Sequence, residues 1–252
     1  MLPVTLITGA SAGLGAEFAR QCSARGEALA LVARRRDRLE QLATELGGNV
    51  HIFAADLARP GAGASLIAEM EAEGLGVGTL INNAGFGVAG KFEAGPRDRL
   101  TGMVDLNART LVELCHLVLP AMRARKSGAI CNVASTAAFQ PGPNMAVYYA
   151  SKAFVLSFTE ALHHELKGTG IRVSALCPGP TATEFGEVAG ARTSDALSLI
   201  RGESPAVVRA GLKGLDRNKA IVIPGLPNKI TAQINRIFPR AVVRRVVGAI
   251  KV

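Results

Sequence analysis

Val4-Thr5-Leu6-Ile7-Thr8, followed by Gly9-Ala10-Ser11-Ala12-Gly13-Leu14-Gly15, is the stretch that decides the fold. An apolar run of strand length passes straight into a glycine-rich turn. The turn opens onto Leu14–Arg25, whose apolar spacing predicts a helix. Glycines at 9, 13 and 15 let the backbone turn tightly and approach a pyrophosphate, whose charge would meet the helix N-terminus. Gly9, Ser11, Ala12, Gly13, Leu14 and Gly15 are therefore candidate cofactor contacts. The spacing G-x-x-x-G-x-G is looser than G-x-G-x-x-G, so the rest of the chain must carry its share of the reading.

Outward from this turn, short apolar runs alternate with helical patterns. Ala28–Ala33, Val50–Ala54, Thr79–Asn82, Ala129–Ala134, Arg172–Cys177 and Ala220–Ile223 read as further strands. Between them, Arg35–Leu46, Ala62–Glu73, Asp98–Arg125 and Val147–Lys167 read as helical. The strands are continuous Val/Ile/Leu/Ala runs rather than alternating ones, as expected where both faces of a parallel sheet are covered. The expectation is one α/β domain, a Rossmann-like doubly wound parallel sheet between two helical layers. Residues 1–227 form that domain and residues 228–252 a basic tail beside it. The stretch Gly179–Gly214 reads as less regular and is expected to cover the mouth of the site.

The 252 residues suffice for a large single core, and 48% hydrophobic against 19% charged residues exclude a disordered chain. The formal net charge of +9 raises the question of nucleic acid. Six of the basic residues (Lys229, Arg236, Arg240, Arg244, Arg245 and Lys251) fall after Asn228 with no acidic partner. A second cluster is Arg34, Arg35, Arg36 and Arg38. Two local clusters, 4% aromatics and no Trp argue against a nucleic-acid surface. Cys22, Cys115, Cys131 and Cys177 form no C-x-x-C pair and read as buried, reduced thiols. No basic start precedes the first apolar run, and no run reaches membrane-spanning length, so a cytoplasmic location is expected.

The second strand ends Leu31-Val32-Ala33-Arg34-Arg35. A cofactor with a free ribose 2′-hydroxyl usually meets an acidic residue at this point; a 2′-phosphate suits guanidinium groups. Arg34 and Arg35, with Ser11, therefore favour NADP over NAD, and Arg34 is expected to contribute more than Arg35, Arg36 or Arg38.

Tyr148 and Lys152 are four residues apart in a helical stretch and share a face. A phenol titrates near 10, and a neighbouring ammonium favours its phenolate. Such a pair can protonate a carbonyl oxygen or deprotonate an alcohol. Ser135, at the end of a strand, could hold the substrate oxygen. Asn107 could anchor a water near Lys152.

Together these residues resemble the classical short-chain dehydrogenase/reductase family. The matches are the Thr8–Gly15 turn, Asp56-Leu57, Asn82-Asn83-Ala84-Gly85, Asn107, Ser135, Tyr148/Lys152 and Pro178-Gly179 with Thr183. Their order and spacing agree throughout, including the thirteen positions from Ser135 to Tyr148. The resemblance implies a seven-stranded sheet and a catalytic set of Asn107, Ser135, Tyr148 and Lys152. Tyr148 would be the general acid/base, and Lys152 would lower its pKa and hold the nicotinamide ribose. Ser135 would orient substrate, and Asn107 would support a proton relay. Asp56 would touch the adenine and Leu57 would give a backbone contact, while Asn83, Ala84 and Gly85 would line the cleft. Pro178, Gly179, Thr181 and Thr183 would meet the nicotinamide. No metal is implied; a homodimer or homotetramer is.

Phe86, Phe92, Phe139, Met145, Phe185, Val188 and Leu197 suggest a mainly apolar carbonyl or alcohol substrate. In the tail, Ile230, Ile234, Ile237, Val242, Val243, Val246, Val247 and Ile250 form an apolar stripe beside the basic residues. A packing or subunit-contact role is expected for it ahead of peripheral contact with an anionic membrane.

Overall fold

The computed structural model describes residues 1–190 and 202–249, with the side chains of 234–237 left aside. Its strands are β1 Leu2–Thr8, β2 Leu29–Ala33, β3 Val50–Ala54, β4 Leu75–Asn82, β5 Gly128–Val133, β6 Ile171–Leu176 and β7 Ile221–Val222. They form one seven-stranded sheet in the order β3-β2-β1-β4-β5-β6-β7, every pair parallel. The helices are α1 Gly13–Ser23, α2 Arg36–Leu46, α3 Ala62–Ala72, α4 Arg97–Val104, α5 Thr110–Ala124, α6 Ala146–Glu165 and α7 Phe185–Ala189. They continue with α8 Ser204–Asp216, α9 Leu226–Ile237 and α10 Arg240–Ala249.

The continuous apolar runs have a direct cause in the pleat. Successive strand residues point to opposite faces. Leu6, Val32, Leu80 and Ile130 enter one core with Leu66, Leu111 and Val155 of α3, α5 and α6. Their neighbours Ile7, Leu31, Ile81 and Cys131 enter the other, with Phe18, Leu39 and Val208 of α1, α2 and α8. Both faces are dry, so neither parity tolerates a polar residue without a partner. Each such side chain contributes about 1.5–3 kcal/mol of burial. The four cysteines are free and buried in these layers. Burial pushes the Cys115, Cys131 and Cys177 thiols up to about 12, which leaves them unreactive near neutral pH.

The chain runs outward from β1 to β3 and then restarts at β4 on the other side of β1. At that switch the loops leaving β1 and β4 diverge and open a crevice above the strand ends.

One expectation is corrected. The stretch Gly179–Gly214 includes most of α8; its Val207, Val208 and Leu212 are buried against the α1 side of the sheet. Gln21 Nε2 of α1 donates to the Pro205 carbonyl at 3.0 Å and ties the two helices together. The region Asp98–Arg125 is helical as expected, with a wide π-helical turn over Asp105–Arg109. Leu197 and Ile250 lie outside the described residues.

Candidate active site

The glycine turn leaves β1 at the crevice. Gly9 and Gly13 have φ of 68° and 55°, where an L side chain is strained. A Cβ on Gly9 would stand 2.9 Å from Ala84 Cα, and one on Gly15 would run into the Gly9 carbonyl. The three glycines thus keep a bare concave backbone at the N-terminus of α1. The Thr8 hydroxyl fixes the neighbouring wall: it accepts from the Asn83 and Ala84 N–H groups, both at 3.0 Å. Asn83 Nδ2 donates back to the Thr8 carbonyl at 2.9 Å. This cradle fits a dinucleotide pyrophosphate: only glycine holds the turn this tight against Ala84 and the Gly9 carbonyl, which sets the N-terminus of α1 at the crevice.

Farther along the crevice, α6 carries Tyr148 and Lys152. The Lys152 side chain is buried, with Nζ 5.9 Å from the Tyr148 ring centroid and donating to the Val133 carbonyl at 2.8 Å. The two groups therefore do share a face. Burial brings the Lys152 ammonium down to about 8. Tyr148 departs from expectation: burial pushes its phenol up to about 12, although the Ser135 hydroxyl pulls it down. Desolvation outweighs every charge that could favour the phenolate. Ser135 caps the short turn Thr136–Phe139, accepting from Ala137 N–H at 3.1 Å. Tyr149 packs its ring over Gly142.

Asn107 sits in the wide turn between α4 and α5 and is buried. Its Oδ1 accepts from Phe86 N–H at 3.1 Å, and its Nδ2 donates to the Phe86 carbonyl at 3.0 Å and to Ser151 Oγ at 3.1 Å. The amide thus braces the Gly85–Phe86 loop against α6. Ser151 was not legible as a site residue, since nothing in the sequence links it to a position 44 residues away. A Cβ on Gly85 would meet Asn107 Oδ1 at 2.9 Å and Lys152 Nζ at 3.4 Å, so this glycine also keeps the crevice open.

The arginine corner differs from the sequence reading. Arg34 is exposed, whereas Arg35 donates to Ser11 Oγ through Nη2 at 3.2 Å. Alternation explains the exchange: Ala33 ends β2, Arg34 points away, and Arg35, the residue before α2, turns back over the glycine loop. Arg38, one turn on, joins it at Glu184, a residue the sequence did not single out.

Asp56 accepts from Ala58 N–H at 3.2 Å, and the Leu57 carbonyl accepts from Thr110 Oγ1 at 2.6 Å. These bonds fix the far rim of the crevice. The opposite wall follows β6. Pro178 accepts from Thr136 N–H at 2.8 Å, Thr181 Oγ1 donates to the Gly179 carbonyl at 2.9 Å, and Thr183 stands 3.1 Å from the Cβ position of Gly13. From there α7 crosses the mouth. Its Phe185 ring lies 5.1 Å from that of Tyr148, and Phe185 and Met145 converge on Gly87. Met145 and Phe185 thus border that end of the crevice, while the Arg99 guanidinium lies over the Phe86 ring, 5.7 Å from its centroid. Phe92 and Val188 are exposed, and Phe139 packs on the core, so these three do not converge there.

Residues 3–193 match the family model described as short chain dehydrogenase. Sulfoacetaldehyde reductase 2 of Chromohalobacter salexigens is 40% identical over 190 residues, 73% of this chain and 75% of that protein. The NADP-dependent 3-hydroxy acid dehydrogenase YdfG of Escherichia coli is 37% identical over 188 residues, with the same shares of 73% and 75%. A short-chain dehydrogenase of Sphingobium yanoikuyae, solved with NADPH, superposes with a TM-score of 0.81 at 34% identity over 95% of this chain and 98% of that one. A structure from a study of 7β-hydroxysteroid dehydrogenase stereoselectivity gives a TM-score of 0.88 at 28% identity, over 98% and 97%. With the crevice, the bare glycine cradle and these matches in agreement, the chain belongs to the short-chain dehydrogenase family.

Proposed function

We propose that this protein is an NADP-dependent oxidoreductase that moves a hydride between NADP(H) and a carbonyl or secondary alcohol, with Tyr148 as the proton donor and acceptor. The observation that carries the reading is the packing of Lys152 Nζ 5.9 Å from the Tyr148 ring, beside Ser135, at the crevice lined by the glycine cradle. The names of the relatives above, and the NADPH bound in one of them, support the choice of cofactor.

Gly9, Ser11, Ala12, Gly13, Leu14 and Gly15 would hold the pyrophosphate, and Arg35 with Ser11 the 2′-phosphate, with Arg38 beside them and Arg34 outside. Asp56 and Leu57 would border the adenine; Asn83, Ala84 and Gly85 would line the cleft. Pro178, Gly179, Thr181 and Thr183 would close over the nicotinamide. The cofactor, when bound, supplies or accepts the hydride. Ser135 holds the substrate oxygen by a hydrogen bond. Tyr148 keeps its proton near neutral pH because burial holds its pKa up, so it serves as an acid when a carbonyl is reduced. Lys152 keeps one N–H on Val133 and directs its remaining protons toward the ribose and the phenol. Asn107 acts as a positioning residue that fixes the Gly85–Phe86 loop. Met145 and Phe185 favour an apolar carbonyl substrate.

The family resemblance supports a homodimer or homotetramer, and the buried inner faces of α9 and α10 support a packing role for the tail. NADPH oxidation across a panel of aromatic, alicyclic and acyl ketones tests the activity. Turnover of at least one apolar ketone is expected, with NADPH preferred over NADH; no turnover of any carbonyl with either cofactor would contradict it.

A further inference from the structure

Glu184, the residue before α7, spans the crevice to the arginine corner. Its Oε1 accepts from Arg38 Nη1 at 2.5 Å, and its Oε2 accepts from Arg35 Nη1 and Nη2, each at 3.2 Å. Arg35 at the same time donates to Ser11 Oγ in the glycine loop. Two guanidinium groups thus gather round one carboxylate, 149 positions from Arg35 in the chain, and one of them also holds the Ser11 hydroxyl. All three charged side chains are about two-fifths exposed, at 40–41%. Arg38 first, and then Arg35, hold the Glu184 carboxyl below its ordinary value.

The far end of α7 is anchored independently. Ala89 N–H donates to the Ala189 carbonyl and Arg99 Nη2 to the Val188 carbonyl, both at 2.9 Å. Between the two anchors, Phe185 lies against Tyr148. The segment is a strap across the mouth, and one of its ties is made by the arginines that face the glycine loop.

We propose that the Glu184 carboxylate is a built-in occupant of the 2′-phosphate site, displaced when that phosphate binds, so that Glu184 restrains the preference for NADPH over NADH and ties the strap to the choice of cofactor. This rests on the assignment of Arg35 to the 2′-phosphate. A phosphate monoester carries nearly two negative charges at neutral pH and three acceptor oxygens, against one charge and two oxygens for the carboxylate. It is the better match for two guanidinium groups, and both anions on one pair would repel. An unphosphorylated ribose cannot compete, so with NADH the clasp on Glu184 persists. With NADPH the near tie of the strap is released and Phe185 can leave Tyr148.

Dissociation constants of NADPH and NADH, measured by nucleotide fluorescence for the wild type, Glu184→Gln, Glu184→Ala and Arg35→Gln, test this. Exposed ion pairs are weak, so removal of the competing carboxylate is expected to tighten NADPH roughly three- to tenfold and to change NADH less than about twofold. Arg35→Gln is expected to weaken NADPH more than about tenfold and to spare NADH. If both Glu184 variants leave NADPH unchanged or weaken it, or tighten both cofactors equally, the competition is refuted while the Arg35 assignment stands. If Arg35→Gln affects the two cofactors alike, the 2′-phosphate assignment fails, and the role of Glu184 with it. Thermal unfolding of each variant establishes that it is folded.

Discussion

At Tyr148 and Lys152, burial acts on both groups and in opposite senses: the phenol keeps its proton up to about 12, and the amine gives its up near 8. The working forms are then a neutral phenol and an ammonium, and the pH dependence follows. For carbonyl reduction both protons are needed, so kcat/KM should be level below about pH 8 and fall above it as Lys152 discharges. For alcohol oxidation the phenolate is needed, so the rate should rise with pH toward the phenol's value near 12, and discharge of Lys152 above about 8 should blunt that rise. Lys152→Arg keeps its charge and should remove the break at 8 from the reduction profile. A reduction profile that keeps its break in that variant would assign it to another group. The i, i+4 spacing made this pair legible in the sequence. The Val133 carbonyl, Ser151 and Glu184 were not legible, because their links span 19, 44 and 149 positions. Arg34 and Arg35 differ by one step at a strand end, and composition does not say which one turns inward.

The elements place these side chains by means the sequence disclosed unevenly. The strands were legible because two dry faces demand unbroken apolar runs. Helix α8 carries Gly211 and Gly214, which weaken a helical pattern. In the fold they are contact glycines: a Cβ on Gly211 would meet Leu176 Cδ2 at 2.8 Å, and one on Gly214 would overlap Val222. They let α8 lie close on β6 and β7. The wide turn holding Asn107 has no sequence signature of its own, since it differs from a helix only in one extra residue per turn. Beneath it, a buried polar chain crosses the sheet. Asn82 Nδ2 donates to Asn132 Oδ1 at 2.9 Å, and Asn132 Nδ2 to Thr159 Oγ1 at 3.0 Å, linking β4, β5 and α6 below Tyr148. Asn132→Ala leaves the buried Asn82 amide only the weak Cys115 thiol as acceptor and should destabilise the protein by about 1–3 kcal/mol in urea unfolding. A loss below about 0.5 kcal/mol would mean that the chain of amides does not tie α6 to the sheet.

At the scale of the whole molecule, the site exists only because strands distant in the sequence end side by side, and the last helices close that arrangement from outside. Asn228 of α9 fills the space over Gly179, α10 buries Val243 and Val247, and Gly248 meets Pro143. The apolar stripe read from the tail is thus divided: Val243 and Val247 face inward, while Ile230, Val242 and Val246 are exposed. Deleting residues 226–252 uncovers Gly179 and should lower the unfolding temperature and raise KM for NADPH. Unchanged stability and kinetics, with salt-sensitive binding to anionic vesicles by the intact chain alone, would instead favour membrane contact. The central claim concerns the proton, and single-turnover hydride transfer from bound NADPH to a ketone substrate tests it most directly. Tyr148→Phe should bind NADPH as the wild type does and transfer hydride at least about a hundredfold more slowly, whereas Tyr149→Phe should stay within a few-fold of the wild type. Wild-type transfer by the Tyr148→Phe protein would contradict the assignment.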